Sequence, residues 1–151
     1  NLVWMHELGG AYALGATAET YQVQGSPGHN NAVKTSLEAD AWYHRHLAGP
    51  VWIKLGLGVG ERVQQPRNFG YYALYATGNY DINSNWTVNA LQYRYRNSFD
   101  SADHFETNQV GTGITYNINA SNAVSAKIYR TYDGGWRTQA DGGALLYSVR
   151  F

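Results

Sequence analysis

Ten charged side chains recur on one face of short alternating segments: Glu19, Lys34, Glu38, Asp40, Lys54, Arg62, Arg94, Arg96, Lys127 and Arg150. Gathered inside a closed sheet they could do one of two things. They could line a selective path for ions or protons, because charges at membrane depth often do. Or they could neutralise one another in a fixed ion network, since a buried charge without a partner costs several kcal/mol. The network is the reading carried forward, because the interior of a small barrel is only wide enough for side chains to fill it.

The stretch NSFDSADHFE is a second chemical candidate. Ser98, Asp100, Ser101, Asp103, His104 and Glu106 supply the atom types of a hydrolase triad or of a hard-cation site. A triad, however, draws its members from separated elements, and crowding in one loop fixes no geometry. The competing reading is a solvated surface loop. Phe99, Asp100, Asp103, His104 and Phe105 then form an exposed cluster, with Trp136 from the later DGGWR loop beside it at the outer leaflet. His44 and His46, spaced i, i+2, share a strand face and read as an interfacial pair rather than a ligand set. Asn119-Ala120-Ser121 is a turn, and GLGVGE lacks the following helix that a phosphate loop needs. No motif implies a metal or a cofactor.

The elements that must hold these residues are strands. Eight segments alternate apolar and polar residues with a period of two: 10–23, 32–44, 51–63, 69–82, 86–96, 107–118, 123–132 and 143–151. In the third, Val51, Ile53, Leu55, Leu57 and Val59 oppose Lys54, Gly56, Gly58, Gly60 and Arg62. The fifth changes parity at Val88 and Ala90, which predicts a bulge near Asn89–Ala90. Longer loops and tight turns alternate along the chain, as in a meander. Each segment is long enough to cross a bilayer when tilted near 45°. Residues 1–8 are ambiguous, because they could extend the first strand or end an upstream segment.

Composition narrows the class. A chain of 151 residues reads as a single domain, 1–151. Its 11 basic and 11 acidic residues leave no charge excess to attract nucleic acid. Without cysteine there is neither a disulfide framework nor a thiolate site. No apolar run is long enough for a spanning helix.

An eight-stranded sheet can close with its apolar face inward, as in a soluble lipocalin-like barrel, or outward, as in a membrane. Two features favour the second. The polar face combines ionic side chains of both signs with many glycines, which makes sense where a narrow interior must fit bulky groups together. The aromatics are also sorted by height. Tyr43, Tyr80, Trp86, Tyr116 and Phe151 fall at the turn end, and Tyr21, Phe69, Tyr71, Tyr72, Tyr95 and Tyr132 at the loop end. Strand centres carry Ala, Leu, Val and Ile. A bilayer selects two such aromatic belts at its interfaces.

The terminal GALLYSVRF, with Leu145, Tyr147, Val149 and Phe151 alternating, resembles the C-terminal signature of Gram-negative outer-membrane β-barrels. The resemblance implies location in the bacterial outer membrane. It also implies recognition by the barrel-insertion machinery and contact with outer-membrane lipid and lipopolysaccharide. Two small barrel families in that class modify lipid A, but the His-x-Ser of the deacylase occurs nowhere here, and no spacing ties His29, Asp100 and either Ser101 or Ser98 into the palmitoyl transferase pattern. The expectation is an all-β, antiparallel up-and-down eight-stranded transmembrane β-barrel, with a polar, largely plugged lumen and a structural or surface-interaction role. The alternatives are a narrow channel for ions or small solutes, and a membrane-embedded hydrolase or acyltransferase acting on lipid. The sequence leaves the oligomeric state open.

Overall fold

A computed structural model describes residues 2–7, 11–23, 32–63 and 68–149, with side chains described for 11–16, 18, 35–63 and 68–148. It is an all-β, antiparallel up-and-down barrel. The strands are β1 (Leu2–Glu7), β2 (Tyr12–Val23), β3 (Ala32–Ala48), β4 (Val51–Val63), β5 (Phe69–Asp81), β6 (Trp86–Ser98), β7 (Glu106–Asn117), β8 (Asn122–Asp133) and β9 (Thr138–Val149). Each pairs with the next in sequence, in one sheet ordered β1 to β9. The eight expected strands are β2 to β9. The difference lies at the start, where Leu2–Glu7 forms a ninth, separate strand paired antiparallel to Ala13–Ala18. Apolar alternation alone could not decide this, because a strand and its continuation carry the same pattern.

The outer wall is largely apolar, with charges such as the Arg130–Asp141 pair on it, and the inside is polar. Leu55, Leu57, Leu74 and Ile128 are 45%, 65%, 41% and 67% exposed, while Glu38, Asp40 and Arg62 are buried. Among the described residues no helix is long and apolar enough to cross a membrane, which says nothing of strands. Strands of 12 to 17 residues, tilted near 45° at about 3.3 Å per residue, reach across an apolar layer of roughly 30 Å.

Turn chemistry explains the connections. Gly49 turns β3 into β4 at φ 51°, a conformation that costs glycine nothing. The next two tight turns are each set by an asparagine side chain. Asn83 Oδ1 accepts from the amides of Asn85 and Trp86. Asn119 Oδ1 accepts from those of Ser121 and Asn122, both at 2.9 Å. Each side chain mimics a backbone turn.

The expected bulge is present. Asn89 pairs with Gly113 and Gln92 with Gly111, so β6 spends one residue more than β7 between the two pairs. Ala90 and Leu91 are both exposed there. Beside this irregularity Thr112 Oγ1, on the outer face of β7, donates to the Asn89 carbonyl at 2.9 Å. That accounts for a hydroxyl between Val110 and Ile114 on an otherwise apolar row.

Candidate functional site: the barrel interior

The sheet curls far enough for opposite walls to touch. Glu38 on β3 and Arg94 on β6 lie three strands apart, about 14 Å along the sheet at roughly 4.8 Å per strand. Arg94 Nη2 nevertheless donates to Glu38 Oε2 at 3.1 Å and to Oε1 at 3.2 Å. Arg96 Nε lies 3.5 Å from Oε2, and only 1% of the Glu38 side chain is exposed. One carboxylate thus holds two guanidinium groups at the middle of the interior.

Aromatic rings carry the rest of this central tier. Arg94 Nε donates to the Tyr75 hydroxyl at 3.1 Å, and its guanidinium lies 5.2 Å from the Tyr75 ring centre. The Tyr75 ring sits 4.7 Å from Trp42, and Lys54 Nζ lies 4.4 Å from the Trp42 ring centre. Arg96 stands 5.5 Å from the ring of Tyr71, which is fully buried. Cations alternating with ring faces are held by charge–quadrupole attraction, which strengthens away from water. The glycines of β4 create the space. A Cβ on Gly56 would lie 2.5 Å from the Trp42 ring, and one on Gly60 would lie 2.6 Å from Tyr71.

Toward the loop end the filling becomes aromatic. Phe69 and Phe105 pack at 5.1 Å, Tyr71 meets Phe105 at 5.6 Å, and the Arg62 guanidinium lies 4.7 Å from the Phe105 ring. Toward the turn end it becomes largely neutral and hydrogen-bonded. Thr87 Oγ1 and Trp52 Nε1 donate to Asp81 Oδ1 at 2.7 and 3.0 Å. A second chain runs from Asn79 Nδ2 to Thr77 Oγ1, from Asn89 Nδ2 to Asn79 Oδ1, and from Thr115 Oγ1 to Asn89 Oδ1. Thr115 in turn shares a hydrogen bond with Ser125 at 2.8 Å.

Among the expected interior residues, the structure brings Glu38, Arg94 and Arg96 together and turns Asp40, Lys54, Arg62 and Lys127 to the same side of the wall. Lys127 Nζ lies 6.0 Å from the Tyr129 ring. The side chains of Glu19, Lys34 and Arg150 lie outside the described residues, as do those of Tyr21 and Phe151.

On the outer wall the turn-end rings pair as Tyr12 with Tyr43 and Trp86 with Tyr116, at 5.5 and 4.7 Å, with Tyr80 exposed nearby. At the loop end Tyr72 meets Tyr95 and Phe99 at 6.0 and 5.9 Å, and Tyr132 meets Trp136 at 5.5 Å. Three aromatics depart from the expectation. Phe69, expected at the outer belt, is 7% exposed and faces inward. Phe105, expected on the surface loop, is half-buried against it. Tyr71, grouped with the loop-end belt by its height, also points inside. On β5 strand alternation overrides ring type, since Phe69, Tyr71, Ala73 and Tyr75 share one parity, opposite to Tyr72 and Leu74. The inward rings of Tyr71 and Tyr75 are what residue-type reasoning missed, and the parity of β5 was the signal that could have found them.

The loop residues do not assemble a triad. Ser98 Oγ donates to the Asp100 carbonyl, and Asp100 Oδ1 accepts from the Ala102 amide, capping a single 3-10 turn at Ser101–Asp103. His104 follows in the left-handed conformation at φ 48°, with its amide on the Ser101 carbonyl. Phe99 and Trp136 are exposed. Among the described residues, no three His, Asp or Glu side chains converge as a metal site would require. His44 is half-buried, and His46 lies 6.4 Å from Trp52.

No family model matches the chain, and no curated protein matches it. Among solved structures it is similar to OmpT (in-vitro folded), an outer membrane protein of Vibrio cholerae. The identity is 14% over 91% of this chain and 52% of that one, with a TM-score of 0.40, so the chain spans about half the length of that protein. A likeness of that size carries no weight in assigning a role, which rests instead on the geometry of the wall and of its filling.

Proposed function

We propose that this chain is an integral β-barrel of the bacterial outer membrane, with a plugged polar lumen and a structural or surface-interaction role. The observation that carries the reading is the inversion of the wall. Apolar side chains point out along β4, β5 and β8, with Leu55, Leu57, Leu74 and Ile128 exposed, and the Glu38 carboxylate is sealed within between Arg94 and Arg96. In water this arrangement would expose a continuous apolar band that soluble monomers avoid. In a bilayer the same band is solvated by acyl chains and the ring belts sit at the headgroups. The proposed surroundings are outer-membrane lipid and lipopolysaccharide, with the barrel-insertion machinery as the partner during assembly. The plugged reading is supported by the central ion–ring tier and by the inward Phe69 and Phe105.

The membrane placement is tested by depth-resolved quenching of the tryptophans in lipid vesicles. Trp86 and Trp136, at opposite ends, are expected at the two interfaces, and uniform quenching by a water-soluble agent would overturn the placement. Planar-bilayer recording tests the plug, with no steady conductance expected. Stable unitary currents would replace this reading with the narrow channel.

A further inference from the structure

The turn between β8 and β9 breaks the rule for its type. It is a hairpin with three residues between Asp133 and Arg137. The Trp136 amide donates to the Asp133 carbonyl and the Asp133 amide to the Arg137 carbonyl, both at 3.0 Å. The last residue of such a loop takes the left-handed conformation, where glycine belongs. Trp136 holds that position, at φ 59°. The glycines stand before it, at 134 and 135, and neither has a left-handed φ. Gly134 answers a different need, because a Cβ there would strike the Glu106 carboxylate. His104, at φ 48°, is the other side chain in this region among the described residues, and histidine is a type that tolerates it. A bulky ring is the outlier.

The fold gains little in exchange. The Trp136 ring meets Tyr132 at 5.5 Å, tilted by 50°, yet stays 57% exposed. Glycine would relieve the backbone, so the chain keeps the ring at a cost to itself. A residue that breaks a local rule without benefit to the fold marks a site for something outside it. Anchoring at the headgroups does not account for it. The belt rings Tyr72 and Tyr95 sit on strands without a left-handed φ, and an aromatic ring prefers the interface whatever its backbone conformation. A ring held at one angle suits a partner with a shape.

Two ion pairs flank the two rings. On the same face of β8 as Tyr132, Arg130 Nε and Nη2 donate to Asp141 Oδ1 and Oδ2 at 2.6 and 2.9 Å. Beside Trp136, Arg137 donates to Asp133 from its amide and from Nε, each at 2.9 Å. The Arg130 and Asp141 side chains are 52% and 62% exposed, and that of Arg137 is 85% exposed. Each guanidinium already holds a carboxylate, so a phosphate would have to displace one. A sugar displaces neither. Its hydroxyls both donate and accept, so they can bond to either member of a pair, and its C–H face lies against the negative face of an aromatic ring.

We infer that the β8–β9 turn is a docking site for the sugar part of an outer-leaflet glycolipid. Trp136 and Tyr132 are the stacking platform, and the Arg130–Asp141 and Arg137–Asp133 pairs are its polar rim. The inference rests on the membrane reading above, which brings this end of the barrel to the headgroups.

The test separates what the ring does for the chain from what it does for the partner. The full chain and its Trp136→Gly variant are folded into phosphatidylcholine vesicles, with and without lipopolysaccharide, and unfolded in urea with far-ultraviolet circular dichroism as the signal. In phosphatidylcholine alone the variant is expected to lie between equal stability and about a fivefold gain in folding equilibrium constant. Saturating lipopolysaccharide is expected to raise the constant of the parent at least about tenfold and that of the variant less than about twofold. A loss of more than about threefold for the variant in phosphatidylcholine would make Trp136 a support of the fold or a plain anchor, and would overturn the inference. An equal lipopolysaccharide gain in both chains would do the same. Phosphatidylserine supplies charge without sugar, and a matching gain there would also overturn it. The same gain from free chitobiose would place the sugar in solution and defeat the glycolipid source. Tryptophan quenching on the same vesicles separates the two readings. Rings absent from the lipid defeat the membrane placement, whereas rings at lipid depth without a lipopolysaccharide gain defeat only the sugar site.

Discussion

Thr112 offers the sharpest test of how this wall satisfies itself. Its hydroxyl is the outer-face group that meets the Asn89 carbonyl, at 2.9 Å, where the β6 bulge breaks the ladder. Thr112→Val keeps the shape and removes the donor. The carbonyl is then left without that donor on the apolar side of the wall, at a cost of about 1–3 kcal/mol for an unsatisfied acceptor. The greater lipid affinity of valine offsets part of this, so a net loss of about 1–2 kcal/mol is expected, roughly a five- to thirtyfold shift in the folding equilibrium. Thr112→Ser keeps the donor and gives up one methyl group, for a loss below about 0.8 kcal/mol. The assay is urea unfolding from vesicles followed by tryptophan emission, with the midpoint and slope fitted together. If Thr112→Val matches or exceeds the parent while Thr112→Ser falls below it, the hydroxyl is not satisfying the bulge and the argument fails.

Three further outcomes follow from the interior. Glu38→Gln leaves two guanidinium groups facing an uncharged amide and should cost about 3–5 kcal/mol. Replacing Arg94 and Arg96 by methionine in the same chain should recover much of that loss in the same unfolding assay. Gly56→Ala drives a methyl group into the Trp42 ring and should cost about 1–3 kcal/mol by overpacking, a penalty that Trp42→Leu in the same chain relieves. Phe105→Ala strips a ring that meets Phe69, Tyr71 and Arg62, with an expected loss of about 2 kcal/mol. Phe99→Ala, on the exposed side of the same loop, should cost less than half as much, and equal losses would place Phe105 outside.

Much of this was legible in residue order. The period of two in Val51–Val63 separates Leu55, Leu57 and Val59 from Lys54, Gly56 and Gly58 before any coordinate is known, and the structure places them on opposite faces. The even mixture of charge and glycine on the second face signals confinement, because only a crowded interior needs both. Three things were not legible from residue type. An aromatic ring suits a lipid interface and a packed interior equally well, so Phe69 could be assigned only through the parity of its strand, and Phe105 only through the ring it meets. The status of Leu2–Glu7 depends on which strand it pairs with, a contact between distant residues that alternation does not encode. The hydroxyl of Thr112 has meaning only beside the Asn89 carbonyl, on another strand.

The neutral chain at the turn end bears on how the wall can move. Thr77, Asn79, Asn89, Thr115 and Ser125 belong to four successive strands; the Thr77–Asn79 link lies within β5, and the other three each tie one strand to its neighbour. A strand can slide along its neighbour only in steps of two residues if its faces are to stay sorted, a displacement of about 6.6 Å. One such step anywhere between β5 and β8 breaks a link outright, since none has that much slack. The five side chains act as a latch on alignment, independent of charge and therefore indifferent to salt.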